Sequence, residues 1–588
     1  MKKLFFLLIL CVSLPTLAQV NITLLSRLAY DKTYDIDGIE DTTCANIWGW
    51  TNAADGREYA LVGAEHGSSI VDVTNPATPT QVQFVPGTMN LWKEIKTYQH
   101  YMYVVSEGAG HGLKITDLQT LPGAVTTVTR SFSATNRAHA LFIDETQGYL
   151  YMFGMSGLAG GGCLIWDLNV DPMNPTIVGQ FASNYIHDGY VRNNKLYAGA
   201  INIGLLQIID VTNKALPVLI GSVVTPKAFT HNTWLNDAGN VCFTTDEKPA
   251  SYLAAYDVSD PTDIKLLDKK LNHTNGNAIV HNVHVKNDWA WVSFYTSGIS
   301  VYDVHVPDIL VEVGYNDYTP TVSGNVFESN WGVYPYFNSS TIIGSDIERG
   351  LYVFQSTPPR ASYVRGVVKD ACGNVLSNVK VKLVGTQDST TTDVFGAYKM
   401  GFNYEGTFIL TANASPYQSV AQSVTLVRSE VDILNIVLPI PAPAVSPSGA
   451  STYCTGTSAT LTATGTSGFA TQWYNGATLV ATGTATYTTA SSGAYTVVNQ
   501  IASPPCSTSS AVSNLNFAVP PSPAISGGVA AACGNNSYVY SIAPVAGSVV
   551  LWSVTEGIIV SGQGTNSVVI MWNNITASGT LSVTQTLP

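Results

Sequence analysis

Four histidines, His139, His187, His231 and His281, and three tryptophans, Trp48, Trp92 and Trp331, hold one phase of a repeating pattern, each 22 to 28 residues before a recurring aspartate or, in the last copy, Gln355. If these seven positions start equivalent innermost strands, they form a ring around a central channel, with histidines on one arc and tryptophans on the other. Neutral imidazoles converging on an axis are what a zinc or iron site requires. Glu107, Asp188, Asp246 and Glu247 supply carboxylates able to orient the rings or act as a base, which defines a metal-dependent enzyme as one expectation. The competing expectation is structural: each ring bonds the backbone or aspartate of a neighbouring strand set and locks adjacent sheets. Ring diameter decides between them, because side chains that stand back from the axis can pair but cannot share one ion.

A second candidate is Asp35-Ile36-Asp37-Gly38-Ile39-Glu40-Asp41, in which Asp35, Asp37, Glu40 and Asp41 offer the hard oxygen ligands that calcium favours. It lacks the twelve-residue loop of an EF-hand, so a solvated acidic connection is the competing reading. There is no G-x-S-x-G elbow, and Gly157-Leu158-Ala159-Gly160-Gly161-Gly162 lacks the following helix that a phosphate cradle needs. Charged residues make up 11% of the 588 residues, and 27 basic against 40 acidic side chains leave a net charge of -13. Lys and Arg are scattered and absent after Arg428, so no basic face is available to release counterions from a nucleic acid.

The elements that must position the ring are strands. SSIVDV, LKITDL, CLIWDL, LQIIDV, LAAYDV and ISVYDV end in Asp72, Asp117, Asp167, Asp210, Asp257 and Asp303, and GLYVFQS carries Gln355 at the same place. Their mean interval of about 47 residues is that of four-stranded propeller blades. Turn chemistry such as Asn75-Pro76 or Asp260-Pro261 and an outer apolar strand follow six copies, whereas Pro358-Pro359 follows the seventh. Residues 22 to 30, ITLLSRLAY, read like an outer strand without a blade, so the N-terminus is expected to complete the last blade and close the ring. The fold class expected is therefore all-β, a seven-bladed β-propeller followed by three β-sandwiches.

These strands, the segment Asn46-Ile47-Trp48-Gly49-Trp50 and the phrase GREYALVGAEHGSSIVDVTNPATP resemble the LVIVD-repeat proteins of the choice-of-anchor B family over residues 21 to 357. That resemblance implies a secreted or surface-held bacterial propeller of no established activity. Met1-Lys2-Lys3, the apolar run from Leu4 to Leu14 and Thr16-Leu17-Ala18 have the build of a secretory signal cleaved after Ala18. No later stretch reaches the roughly 20 apolar residues of a membrane span. Export to the outer surface of a Gram-negative bacterium, or beyond it, is the expected address. Seven cysteines remain, an odd number, without C-x-x-C spacing.

After residues 19 to 360, three further units are expected. Residues 361 to 440, with Gly366-Val367-Val368-Lys369-Asp370 and Thr392-Asp393-Val394-Phe395-Gly396-Ala397-Tyr398, resemble the carboxypeptidase regulatory-like domain, a prealbumin-type sandwich sometimes classed with carbohydrate-binding-like folds. No histidine follows His305, so peptidase zinc chemistry is not implied. Residues 441 to 519 resemble bacterial immunoglobulin-like modules, and a Cys454–Cys506 bond joining the ends of that domain is expected. Pairing of Cys44, Cys163, Cys242, Cys372 and Cys533 stays open. Residues 520 to 588 resemble PKD-like repeats and read as cut short, without the sorting tail usual in type IX secretion. Trp473, Tyr474, Trp552 and Trp572 could serve a sugar-binding tail, although each sits where a sandwich core wants an aromatic residue.

The leading functional reading is a monomeric, non-enzymatic recognition or scaffold propeller carried on sandwich spacers, its partner an unidentified protein or a cell-envelope polysaccharide. The alternatives are a channel metalloenzyme and a carbohydrate-binding surface protein.

Overall fold

The computed structural model describes residues 19–30, 43–157, 159–502, 505–519, 522–529, 532–574 and 578–586. Residues 1–18, expected to be a secretory signal, and the acidic candidates Asp35, Asp37, Glu40 and Asp41 lie outside them. Among the described residues the helical turns are three short 3-10 segments, Ala159–Gly161, Ile201–Ile203 and Tyr295–Ser297, and everything else regular is strand. No helix among them is long and apolar enough to cross a membrane.

Seven antiparallel sheets occupy residues 19–356, five of them built wholly from consecutive strands running from the channel outward and the last two completed by strands from the N-terminus. Blade 1 comprises Cys44–Thr51, Glu58–Ala64, Gly67–Asp72 and Thr80–Pro86. Its second strand is buried along its whole length, as a strand packed on both faces must be, whereas outer strands such as Val218–Val224 in blade 4 are largely exposed. The recurring aspartate has a local cause. The Oδ1 atoms of Asp72, Asp117, Asp167, Asp210 and Asp257 each accept the backbone N–H two residues on, at 2.8–3.0 Å, which turns the chain from the third strand toward the fourth. Asp303 does the same to His305 at 3.2 Å. Gln355 ends a blade whose chain makes no such turn.

The fourth strand of blade 7 is Ile22–Leu28, paired antiparallel with Gly350–Ser356 from Ile22 opposite Ser356 to Leu28 opposite Leu351. One residue ahead of it, Gln19–Val20 adds a fifth strand to blade 6 by pairing with Asn316 and Tyr315. Asn21 makes the step between blades at φ 57°, a left-handed conformation that asparagine tolerates. Its carbonyl accepts from the Ser356 hydroxyl, and Asn316 Nδ2 donates to the Ile22 carbonyl at 2.9 Å. On the other side of blade 7 the Cys44 amide donates to the Ile347 carbonyl at 3.0 Å, and the Ser339 hydroxyl donates to Glu58 of blade 1.

By compactness the chain divides into one unit reaching Arg365, with residues 399–408 and 424–433, and a second of residues 366–398, 409–423 and 434–588. Residues 362–438 form two four-stranded sheets, 444–518 a three-stranded and a six-stranded sheet, and 526–586 a four-stranded and a two-stranded sheet. Trp473 and Trp552 are fully buried in the last two sandwiches and donate their indole N–H to the Thr484 and Thr565 carbonyls, so both serve as core. Tyr474 and Trp572 are half-buried, bonded to Gln472 and Tyr540.

The expected Cys454–Cys506 bond is corrected: Cys506 is joined to Cys372, 134 residues earlier, and Cys454 is free. Cys372 lies in the turn after Ser362–Asp370 and Cys506 in the strand Pro505–Ser509, so the bond ties the first sandwich to the second instead of closing one domain. Cys44, Cys163 and Cys242 are buried free thiols whose pKa burial pushes up, and Cys533 is exposed and free.

Two outcomes follow from these contacts. Ile22 is 1% exposed within a cluster that includes Ile299, Val301, Val313 and Phe354, so Ile22→Ala should lower the stability of the propeller by about 2–4 kcal/mol in urea unfolding; a change below about 0.5 kcal/mol would mean that the closing strand is not held. Peptic mapping without reduction should recover the Cys372 peptide joined to the Cys506 peptide. Reduction should cost up to about 5 kcal/mol in the chain-entropy model, and a Cys454–Cys506 peptide would contradict this pairing.

Candidate functional site: a two-tiered channel

The innermost strands bring four of the expected histidines into one arc. The ring of His139 lies 4.0 Å from that of His187 between centroids, His187 lies 4.2 Å from His231, and His231 lies 4.5 Å from His281, with each pair tilted by 47–50°. Trp331 continues the arc 4.1 Å beyond His281, and Trp92 stacks on Trp331 at 4.5 Å. The rings stand side by side along the circumference, so the four imidazoles do not converge on a single point. Around this arc the donor atoms that all approach one another within 4.8 Å belong to His231, His281 and Glu247; the other such group among the described residues, Asp370 with Cys372 and Cys506, holds the disulfide. A four-histidine metal centre from His139, His187, His231 and His281 is therefore corrected to a smaller group.

Trp48 does not belong to this arc. Trp48, Trp234, His284 and Tyr334 pair with Leu61, Phe243, Trp291 and Ile343, which in turn face Ile70, Ala255, Val301 and Val353, each two residues before its blade's Asp or Gln355. The position matching His231, His281 and Trp331 is three residues earlier, so in blade 1 it is Ala45. All four of these blades carry the same bulge at the start of the first strand; what displaces the phase in blade 1 is its longer first hairpin, since Leu61 follows Trp48 by 13 residues, whereas Phe243, Trp291 and Ile343 follow Trp234, His284 and Tyr334 by 9, 7 and 9. In blade 2 the strand begins at Lys93, and Trp92 precedes it.

Trp48 instead joins a second tier. Phe142 lies 4.8 Å from Tyr190, Tyr190 lies 4.6 Å from Trp234, and Trp234 lies 4.6 Å from His284. Trp48 lies 5.9 Å from His284 and 5.0 Å from Tyr334, while Tyr336 contacts Trp48, Trp234, His284 and Tyr334. Lys96 Nζ sits 4.4 Å over the Trp48 ring, and the Trp48 indole donates to Thr97 Oγ1 at 3.1 Å. This tier lines a cavity of about 410 Å³ that also receives Asp144, Glu145 and Arg192. The sequence expectation of a single ring does not include it. The signal was present at a spacing of three: His139 with Phe142, His187 with Tyr190, His231 with Trp234, His281 with His284 and Trp331 with Tyr334.

Between the tiers, polar side chains couple neighbouring blades. Asn232 Nδ2 donates to Asp188 Oδ2 at 2.6 Å while its Oδ1 accepts the Val283 amide at 3.0 Å, and Asn46 Oδ1 accepts the Ile95 amide at 3.0 Å. Burial pushes the carboxyl of Glu94 up to about 7 against the pull of its partner Lys96, and burial likewise raises Asp188. Desolvation holds His231 and His281 down to about 3 and His187 and His284 well below the ordinary imidazole value, so these four rings are neutral near pH 7. His139 differs. Burial pulls its pKa down, but the hydrogen bond from Nδ1 to Glu107 Oε1 at 2.6 Å and the Glu107 charge outweigh that and raise it. His281 Nδ1 donates to the Trp331 carbonyl of the next blade, an inter-blade lock of the kind expected for this ring.

Residues 363–439 match the carboxypeptidase regulatory-like domain and residues 519–586 the PKD-like domain. No curated protein matches the chain. Similar solved structures include the β-propeller domain of Cps50 (Swd1) from Myceliophteria thermophila, at 12% identity and a TM-score of 0.39, covering 57% of this chain and all of that one. A putative 6-phosphogluconolactonase from Bacteroides uniformis has 12% identity and a TM-score of 0.39, covering 52% of this chain and 89% of its own. One from Bacteroides fragilis has 10% identity and a TM-score of 0.37, covering 52% and 88%.

Because the Glu107 bond raises the folded-state pKa of His139 above the unfolded value of about 6.5, its stabilisation is complete below that value and is lost as pH rises through the folded one. The Glu107 side chain is 42% exposed, and solvent screening limits the effect to about 1 kcal/mol or less. Urea unfolding at pH 6 and pH 9 should show this decline in the native chain and a smaller one in His139→Gln; equal declines would remove the pair from the account.

Proposed function

We propose that this is an exported surface protein of the LVIVD-repeat kind, residues 19–360 forming a recognition propeller and residues 361–440, 441–519 and 520–588 forming sandwich modules that carry it, and that its role is binding. The observation that carries the reading is the second-tier cavity. Its volume of about 410 Å³ falls in the range of small-ligand sites, and its walls combine aromatic faces with two acidic and two basic groups. Such walls suit a neutral saccharide: the C–H face of a pyranose packs on Trp and Tyr rings, while its hydroxyls reach Asp144, Glu145, Lys96 and Arg192. The ligand class proposed is thus the neutral sugar units of a cell-envelope polysaccharide. Export is supported by the disulfide, which is at home in oxidising compartments, and by the company of PKD-like and immunoglobulin-like modules.

The test is calorimetric titration of the purified chain with neutral envelope polysaccharides and their oligosaccharides. Trp234→Ala and Tyr190→Ala should each weaken binding about tenfold or more, equivalent to about 1.4 kcal/mol, while circular dichroism stays unchanged. Binding that survives both substitutions, or a native chain that takes up no neutral saccharide, would defeat the proposal.

A further inference from the structure

The first tier holds a constellation that recognition at the aromatic cavity does not use. His231, from blade 5's inner strand Thr230–Leu235, presents Nε2 3.7 Å from Glu247 Oε2. His281, from blade 6's inner strand Val280–Lys286, presents Nε2 3.9 Å from Glu247 Oε1. Glu247 follows blade 5's second strand, Val241–Asp246, so the carboxylate spans the two imidazoles. The three side chains are well shielded, with exposures of 4%, 1% and 15%.

Their hydrogen bonding leaves two buried ring nitrogens without a partner among the described residues, His231 Nδ1 and His281 Nε2, and the second faces the carboxylate. His281 Nδ1 is committed to the Trp331 carbonyl, which fixes the tautomer and leaves Nε2 with its lone pair. That Nε2 is buried and has no hydrogen-bond partner among the described residues, although it faces a carboxylate. Glu247 Oε1 already accepts from Tyr295, so it and the His281 Nε2 lone pair are two acceptors facing each other across a gap that a cation would bridge. The Tyr295 hydroxyl donates to Glu247 Oε1 and helps to hold the carboxylate in place.

We propose that His231, His281 and Glu247 bind a divalent transition metal of the zinc or ferrous class. Two neutral imidazole nitrogens and one carboxylate are a donor set that such ions take, and donors bound at about 2.0–2.2 Å to one ion stand roughly 3.0–4.2 Å apart. Both measured His–Glu separations lie in that window, and the whole set lies within 4.8 Å, so closing on one ion needs sub-ångström adjustments. The Trp331 carbonyl on His281 and the Tyr295 hydroxyl on Glu247 are the outer contacts that metal ligands use for orientation. The site bridges blades 5 and 6. It stands independently of the saccharide reading, because none of its residues lines the aromatic cavity.

The experiment loads the full chain with Zn2+ or Co2+, removes excess ion, and measures bound metal, the thermal midpoint and the Co2+ absorption spectrum. The expected result is about one ion per chain, a raised midpoint and visible Co2+ bands without a thiolate charge-transfer band. Glu247→Gln and His281→Gln should weaken binding at least tenfold, and His139→Gln, outside the cluster, should leave it unchanged. A native chain that takes up neither ion, cluster variants that retain it fully, or a thiolate band placing the metal at Cys454 or Cys533 would each overturn the proposal. The native-chain spectrum decides the question even if a variant fails to fold.

Discussion

The antiparallel pairing of Ile22–Leu28 with Gly350–Ser356 is the constraint on which the propeller depends. A blade has two faces to bury, and each is covered only by the next blade, so seven sheets reach full burial only when the last meets the first. Pairing the chain's beginning with its end converts an open stack into a ring and covers the Gly350–Ser356 edge of blade 7 with a fourth strand. The Asn21 step, which sends Gln19–Val20 onto blade 6, spreads the seam over two blades, and the Cys44 and Glu58 contacts secure the other side. Once the ring is closed, the spacing of inner strands follows, and with it the 4.0–4.5 Å interval between neighbouring rings along the first tier.

That spacing accounts for the chemistry of the channel. Side chains set this close along a circumference lose water, and loss of water penalises charge, so the buried imidazoles stay neutral and available as acceptors. Where a carboxylate is adjacent and partly open to solvent, as at His139 and Glu107, the balance reverses. The tiers also differ in kind. The first is rich in nitrogen lone pairs and backbone carbonyls, the second in aromatic faces with charged groups among them, and the Asn232 and Asn46 side chains between them stitch blade to blade.

The modules beyond the propeller follow a simpler logic. Each is a pair of small sheets with an aromatic core residue, such as Trp473 or Trp552, and surfaces made of Ser, Thr and Asn where charge is scarce. The Cys372–Cys506 bond links the first two sandwiches and leaves Cys454 unbonded, so its stabilisation acts on the pair of modules.

The sequence by itself determined whatever depends on neighbours along the chain. The aspartate ending each third strand is needed to accept an amide two residues on, so it recurs with the turn it makes, and the surplus strand at one end of the repeat matches the deficit at the other. The histidine arc was legible for the same reason, since His139, His187, His231 and His281 occupy one phase of the repeat. What only the tertiary structure decided depends on strand register and on contacts between distant segments. The longer first hairpin of blade 1, 13 residues from Trp48 to Leu61 against 7 to 9 at the matching pairs of blades 5 to 7, places Trp48 in the aromatic tier although its count to Asp72 matches the arc. Glu247 met His231 and His281, and Cys506 met Cys372, because packing placed those backbones side by side. Local sequence carries no record of proximity between segments that first meet when the sheets assemble.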